Sequence, residues 1–160
     1  MKLFEILGTN VPVKWSHTNN QHRGTFTIDG KADAYTIQID EYDVAGKTLA
    51  DFGFVTNGDI TAKESGITSA KIIGAVLNGA FPKIKEIDPD VILIAVNKTS
   101  GLVDSRKSLY TALFSALKLK ISIVFDSGWK ESTTHWSRIF ASYNPSKEEI
   151  EQFTVIVQSK

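Results

Sequence analysis

Thr48-Leu49-Ala50-Asp51-Phe52-Gly53-Phe54-Val55-Thr56 and Val91-Ile92-Leu93-Ile94-Ala95-Val96 are two strand-like runs, and what separates them decides the fold. In the first, Phe52 and Phe54 alternate with Asp51 and Gly53, the period of a strand with one apolar side. The second is a continuous run rich in β-branched residues, the composition of a strand buried on both faces. Between them lies a glycine-bearing loop, then a stripe of Ile72, Ile73, Val76, Leu77, Ala80, Phe81 and Ile84 at helical spacing. A second helix carrying Leu109, Tyr110, Leu113, Ala116 and Leu117 inward follows, then a strand over Ile121 to Phe125. Residues 48–125 therefore read as β-α-β-α-β.

Outward from this unit the pattern is antiparallel. Tyr35, Ile37 and Ile39 share one face of a strand whose other face is polar, and Asp29-Gly30 is a hairpin signal joining it to a strand from Thr25. Asp43 to Lys47, with Gly46, turns the chain into the strand from Thr48. Nearer the start, a short strand near Val11 to Trp15 and an exposed connection are expected, so that 1–23 forms a loosely structured segment of one domain spanning 1–160. Thr68 or Ser69 is the expected N-cap of the first helix, and Pro82 should kink or stop it near Phe81. Asp104 or Ser105 is expected to cap the second. Trp136 to Tyr143 reads as a strand. Ser146 with Glu149 is a capping box for one helical turn, after which Phe153 to Val157 is expected as a last strand.

Eighteen basic and eighteen acidic residues cancel, so no global field draws a polyanion or an anionic membrane, and neither nucleic acid nor a membrane is expected as a partner. The chain has no cysteine, which removes disulfides, thiolate catalysis and Cys-ligated zinc. No apolar run approaches the roughly 20 residues of a membrane helix, and the first residues lack a signal-peptide pattern, so a cytoplasmic protein is expected. His17, His22 and His135 match no zinc spacing, and no metal is expected. Walker, Rossmann and nucleophile-elbow motifs are missing from the sequence.

The loop from Gly58 to Ser69 leaves a strand and opens the longest helix. Free N–H groups and the positive dipole end at such a junction can hold a phosphate, although a plain structural loop has the same composition. The order of elements resembles that of GNAT-type N-acetyltransferases, in which an antiparallel sheet splays beside a β-α-β unit and acetyl-coenzyme A lies in the gap. Their pyrophosphate-binding Arg/Gln-x-x-Gly-x-Gly/Ala turn is similar to Lys63-Glu64-Ser65-Gly66-Ile67-Thr68, a degenerate match with threonine at the final small position. The resemblance covers roughly 24–143 as topology. It implies an α+β fold: a mixed, mainly antiparallel sheet of about seven strands with two main helices. It further implies acetyl-CoA held by Lys63, Gly66, Ile67, Thr68 and Ser69, with its pantetheine arm along Phe54, Val55 and Thr56 and the cleft closed on its far side near Asn97. Tyr110 corresponds to the family's proton donor to the leaving thiolate; a core tyrosine with its hydroxyl at the rim is the other reading of that residue.

Ser105-Arg106-Lys107-Ser108-Leu109-Tyr110, following Asp90-Val91-Ile92-Leu93-Ile94-Ala95, also resembles small bacteriophage-encoded proteins with a GNAT-like core. That resemblance implies a phage accessory or virion-associated protein in the host cytoplasm, with the cofactor retained or lost. Arg106 can pair with Asp104 or receive a phosphate. Asp40, Glu41 and Asp51 are the carboxylates on central strands where burial could make a general base, but their alternation with apolar residues places them on a wet face. Trp129, Trp136 and Phe140 with Lys130 and Arg138 suggest an aromatic-basic interface, for a protein partner or a second copy. Two functions stay open: transfer of acetyl from acetyl-CoA to an amine, and non-catalytic binding of a host or viral protein.

Overall fold

The computed structural model describes residues 12–27, 35–56, 66–98, 103–118 and 121–158. They form eight strands and three helices: β1 (Lys14–Thr18), β2 (Gln21–Phe26), β3 (Tyr35–Val44), β4 (Lys47–Thr56), α1 (Gly66–Ile87), β5 (Val91–Asn97), α2 (Val103–Leu117), β6 (Phe125–Asp126), β7 (Lys130–Glu131), β8 (His135–Ala141) and α3 (Lys147–Gln158). All eight strands join one sheet in the order β1-β2-β3-β4-β5-β8-β6, with β7 also pairing β8. The β4/β5 step is parallel and every other pairing antiparallel. This is the mixed, mainly antiparallel α+β sheet that the sequence implies. No helix among the described residues is long and apolar enough to cross a membrane.

Alternation along the strands divides the core. Tyr35, Ile37, Ile39, Phe52, Phe54, Ile94 and Phe140 face α1 and α2, meeting Val76, Ala80, Tyr110, Leu113 and Phe114. Leu49, Val91, Leu93 and Ile139 face the other way and pack with Phe153 of α3. β5 contributes to both clusters because helices cover both its faces, the reason its sequence is apolar throughout.

Several local expectations are corrected. Residues 14–23 are not loose: Lys14↔Thr25 through Thr18↔Gln21 pair as a hairpin, turned by Asn19, whose φ of 54° asparagine tolerates well. The Asp29-Gly30 turn lies outside the described residues. α1 begins at Gly66, so Thr68 and Ser69 lie within its first turn instead of capping it, and of the two alternatives at Pro82 it does not stop near Phe81 but continues to Ile87. Likewise α2 begins at Val103, ahead of Asp104 and Ser105. Of the expected strand at Ile121–Phe125 only Phe125 pairs in the ladder, together with the next residue, Asp126, at the edge beside β8. The last segment is a helix: Ser146 Oγ accepts the Glu149 N–H (3.2 Å) and Glu149 Oε1 accepts the Ser146 N–H (3.1 Å). Once so capped, Ile150, Phe153 and Ile156 recur every third position on the face packed against the sheet.

Val13 lies between sheet and helix where two glycines leave room. A Cβ on Gly79 of α1 would stand 2.5 Å from Val13 Cγ2, and one on Gly24 of β2 would stand 2.9 Å from Val13 Cγ1. Gly79→Ala should therefore lower the melting temperature by the equivalent of about 1–2 kcal/mol, since a stiff β-branched neighbour makes overpacking outweigh alanine's helix propensity. A rise in melting temperature would show that Val13 is not seated there.

Candidate functional site

The parallel ladder between β4 and β5 runs only from Leu49↔Val91 to Phe52↔Ile94. Its lower end is clipped, because the Thr48 N–H reaches Asp90 Oδ2 (2.9 Å) and the Asp90 N–H reaches the Thr48 carbonyl (2.9 Å). Beyond Phe52, β4 continues to Thr56 against β3 alone, and β5 continues to Asn97 against β8 alone. The two halves of the sheet thus part at one end, the end where β4 leads on toward α1.

Tyr110 of α2 reaches this parting. Its hydroxyl accepts the backbone N–H of Phe54 at 3.1 Å, a bond in which the phenol retains its own proton. Tyr110 and Phe54 are each 4% exposed. The Tyr110 ring stands edge-on to Phe52 at 6.2 Å between centroids. The geometry therefore joins two residues that the sequence pairs only by resemblance, 56 positions apart.

The other expected site residues are placed unevenly. Gly66, Ile67, Thr68 and Ser69 form the first turn of α1, where a helix leaves its leading N–H groups without intrahelical partners. Lys63 lies outside the described residues, as do the side chains of Val55 and Thr56, whose backbones complete β4. Asn97 ends β5, exposed, in register with His135.

Asp51 corrects the wet-face expectation: it is 4% exposed, on the sheet face opposite α1 and directly across from Asp40. Asp40 is tied to Arg23 at 2.6 Å, and Glu41 to His22 at 2.6 Å. What a strand pattern cannot reveal is that α3 covers part of that second face.

The expected aromatic-basic surface is divided. Phe140 is 1% exposed, in the core. Arg138 grips Asp126 with Nε to Oδ1 at 2.8 Å and Nη2 to Oδ2 at 2.6 Å, while Lys118 Nζ also reaches Oδ2. With the Gly128 N–H as a further donor, these groups hold the Asp126 carboxyl far below its usual range, the Arg138 hydrogen bond first among them. A depressed folded-state value means stability that is present above the unfolded-state value of about 3.9 and lost as the pH falls below it. Asp126→Asn should cost about 1–3 kcal/mol at neutral pH by leaving Arg138 half-buried and unpaired. It should also flatten the decline in stability below pH 4. Urea titrations of both proteins at pH 7 and pH 3 measure this; equal losses from pH 7 to pH 3 would refute it.

No protein-family model matches the chain, and no curated protein matches it. Among solved structures, the crystal structure of a Bacillus subtilis acetyltransferase in complex with CoA is similar at 11% identity, over 82% of this chain and 99% of that one, with a TM-score of 0.43. At that level of likeness, the reading of the site rests on its own geometry.

Proposed function

We propose that the chain is an acyl-CoA N-acyltransferase that moves acetyl from acetyl-CoA to an amine. The observation supporting it most is the early end of the β4/β5 ladder, because beyond Phe52 it leaves the β5-side edge of β4 without a strand partner, on the stretch from which the chain goes on to α1. In this reading Phe54, Val55 and Thr56 offer their backbone edge to the pantetheine amides. Gly66, Ile67, Thr68 and Ser69 offer helix-end N–H groups to the pyrophosphate, with Lys63 as counter-charge. The thioester, when bound, supplies the activated acyl group. Tyr110 gives its phenolic proton to the sulfur as the amine nitrogen bonds the acyl carbon and the carbon–sulfur bond breaks; the amine's surplus proton passes to water.

A second reading has its own observation. The Phe54 N–H, on the edge the pantetheine would use, is already satisfied by Tyr110 in a buried setting. A scaffold that has closed this slot, as in a phage accessory protein binding a host or viral protein, would look the same. Calorimetric titration with millimolar acetyl-CoA, with the fold verified by circular dichroism, separates the two. Binding heat and a raised melting temperature support the transferase. Neither signal from folded protein would overturn it and leave the scaffold.

A further inference from the structure

On the flank of α2 away from β4, Lys107 lies between two half-buried indoles: its Nζ stands 3.6 Å from the Trp136 ring centroid and 5.6 Å from that of Trp129. The Trp129 ring is oriented by its indole N–H, which donates to Thr111 Oγ1 at 3.1 Å, while Thr111 in turn donates to the Lys107 carbonyl at 2.8 Å. A groove lined by Lys107, Ser108, Thr111, Ala112 and Trp129 opens beside this arrangement. We infer that this groove binds a small planar aromatic carboxylate, its ring against Trp129 and its carboxylate on Lys107.

Charge counting selects that class. The neighbouring cations whose side chains are described are already neutralised: Lys98 pairs with Glu131 at 2.6 Å, and Lys118 and Arg138 share Asp126. Lys130, opposite Ser137 in β7, belongs to the other face, where it lines a separate cavity beside α3. Among the described residues, Lys107 is the cation of this flank with no carboxylate partner. A polyanion such as single-stranded nucleic acid needs several free cations along its backbone, whereas one serves a monoanion. An ammonium resting on an indole is dehydrated on one side, so a carboxylate meeting it displaces less water than at a fully solvated lysine. The Ser108 hydroxyl at the rim can donate a further hydrogen bond. This inference is independent of the transferase reading, since it involves neither the β4/β5 parting nor Tyr110.

Tryptophan fluorescence titrations with 2-naphthoate, 2-naphthylmethylammonium and cyclohexanecarboxylate test it. Saturable quenching by 2-naphthoate, at least about tenfold tighter than for either other probe, is expected from one charge-assisted contact combined with ring stacking. Lys107→Met keeps the alkyl stem over the indole while removing the charge, and should cost about tenfold in 2-naphthoate affinity with little change in melting temperature. Trp129→Leu should weaken binding as well. Unchanged affinity in a folded Lys107→Met protein, equal binding of the ammonium probe, or tighter binding of an oligothymidylate than of 2-naphthoate would each overturn the assignment.

Discussion

Tyr110→Phe is expected to slow acetyl transfer by about a hundredfold to ten-thousandfold, the span that a positioned general acid contributes, while acetyl-CoA affinity is kept or improved. The two effects part because the phenol has two uses in the same place. As a donor it would, on the proposed reading, give its proton to the leaving sulfur. As acceptor of the Phe54 N–H at 3.1 Å, it occupies the strand edge that a pantetheine amide would take. Phenylalanine ends both, so the edge is released to the cofactor while the chemistry loses its acid. The variant also leaves the Phe54 N–H buried without its phenol partner, a cost of about 1–3 kcal/mol in unfolding free energy. Single-turnover rates, acetyl-CoA titration and urea unfolding of wild type and variant together check the expectation. If turnover matches wild type, Tyr110 is not the proton donor. If the stability loss alone appears, in a protein with no transferase activity to lose, the hydroxyl is a latch across the sheet and the scaffold reading stands.

Much of the sheet was legible because period-2 alternation is a local signal. Tyr35, Ile37, Ile39, Phe52 and Phe54 are all buried, each where its strand's alternation places it. The β5 run announced burial on both faces by having no polar side. Misread segments are those where distant partners decide. Phe153 and Val155 fit a short strand as well as a helix, and the capping box together with the second core cluster under Leu49 and Leu93 selects the helix. His22, in a stretch rich in polar residues, is 8% exposed because β3 pairs over it and Glu41 meets its ring. Of the site, the sequence offered Phe54 and Tyr110 only through resemblance. Their contact depends on how α2 lies over β4, which no local pattern encodes. Phe114 is buried beside the expected inward stripe, since its place four residues after Tyr110 puts it on the same helix face.

Phe114→Ala should be among the most damaging single changes in the chain, costing about 3–5 kcal/mol, the usual toll of a fully buried phenylalanine. Its ring is 1% exposed, stacks on Phe140 of β8 at 4.9 Å and meets Phe52 of β4 edge-on at 5.4 Å. Phe140 and Phe52 stand on opposite sides of β5, so Phe114 ties together the two halves of the sheet that part above Phe52. Against a domain stability of about 5–15 kcal/mol, the loss is a large fraction of the total. The reach of this change extends to the site, because Tyr110 precedes Phe114 by one helical turn and depends on the same docking of α2 to reach Phe54. Unfolding in urea should therefore begin at markedly lower concentration in the variant, and hydrogen exchange at the Phe54 amide should accelerate more than exchange within β2 and β3, whose ladder does not involve α2. Uniform acceleration across all strands would instead mean that Phe114 contributes only to global stability, and that the Tyr110 contact is held by the rest of α2.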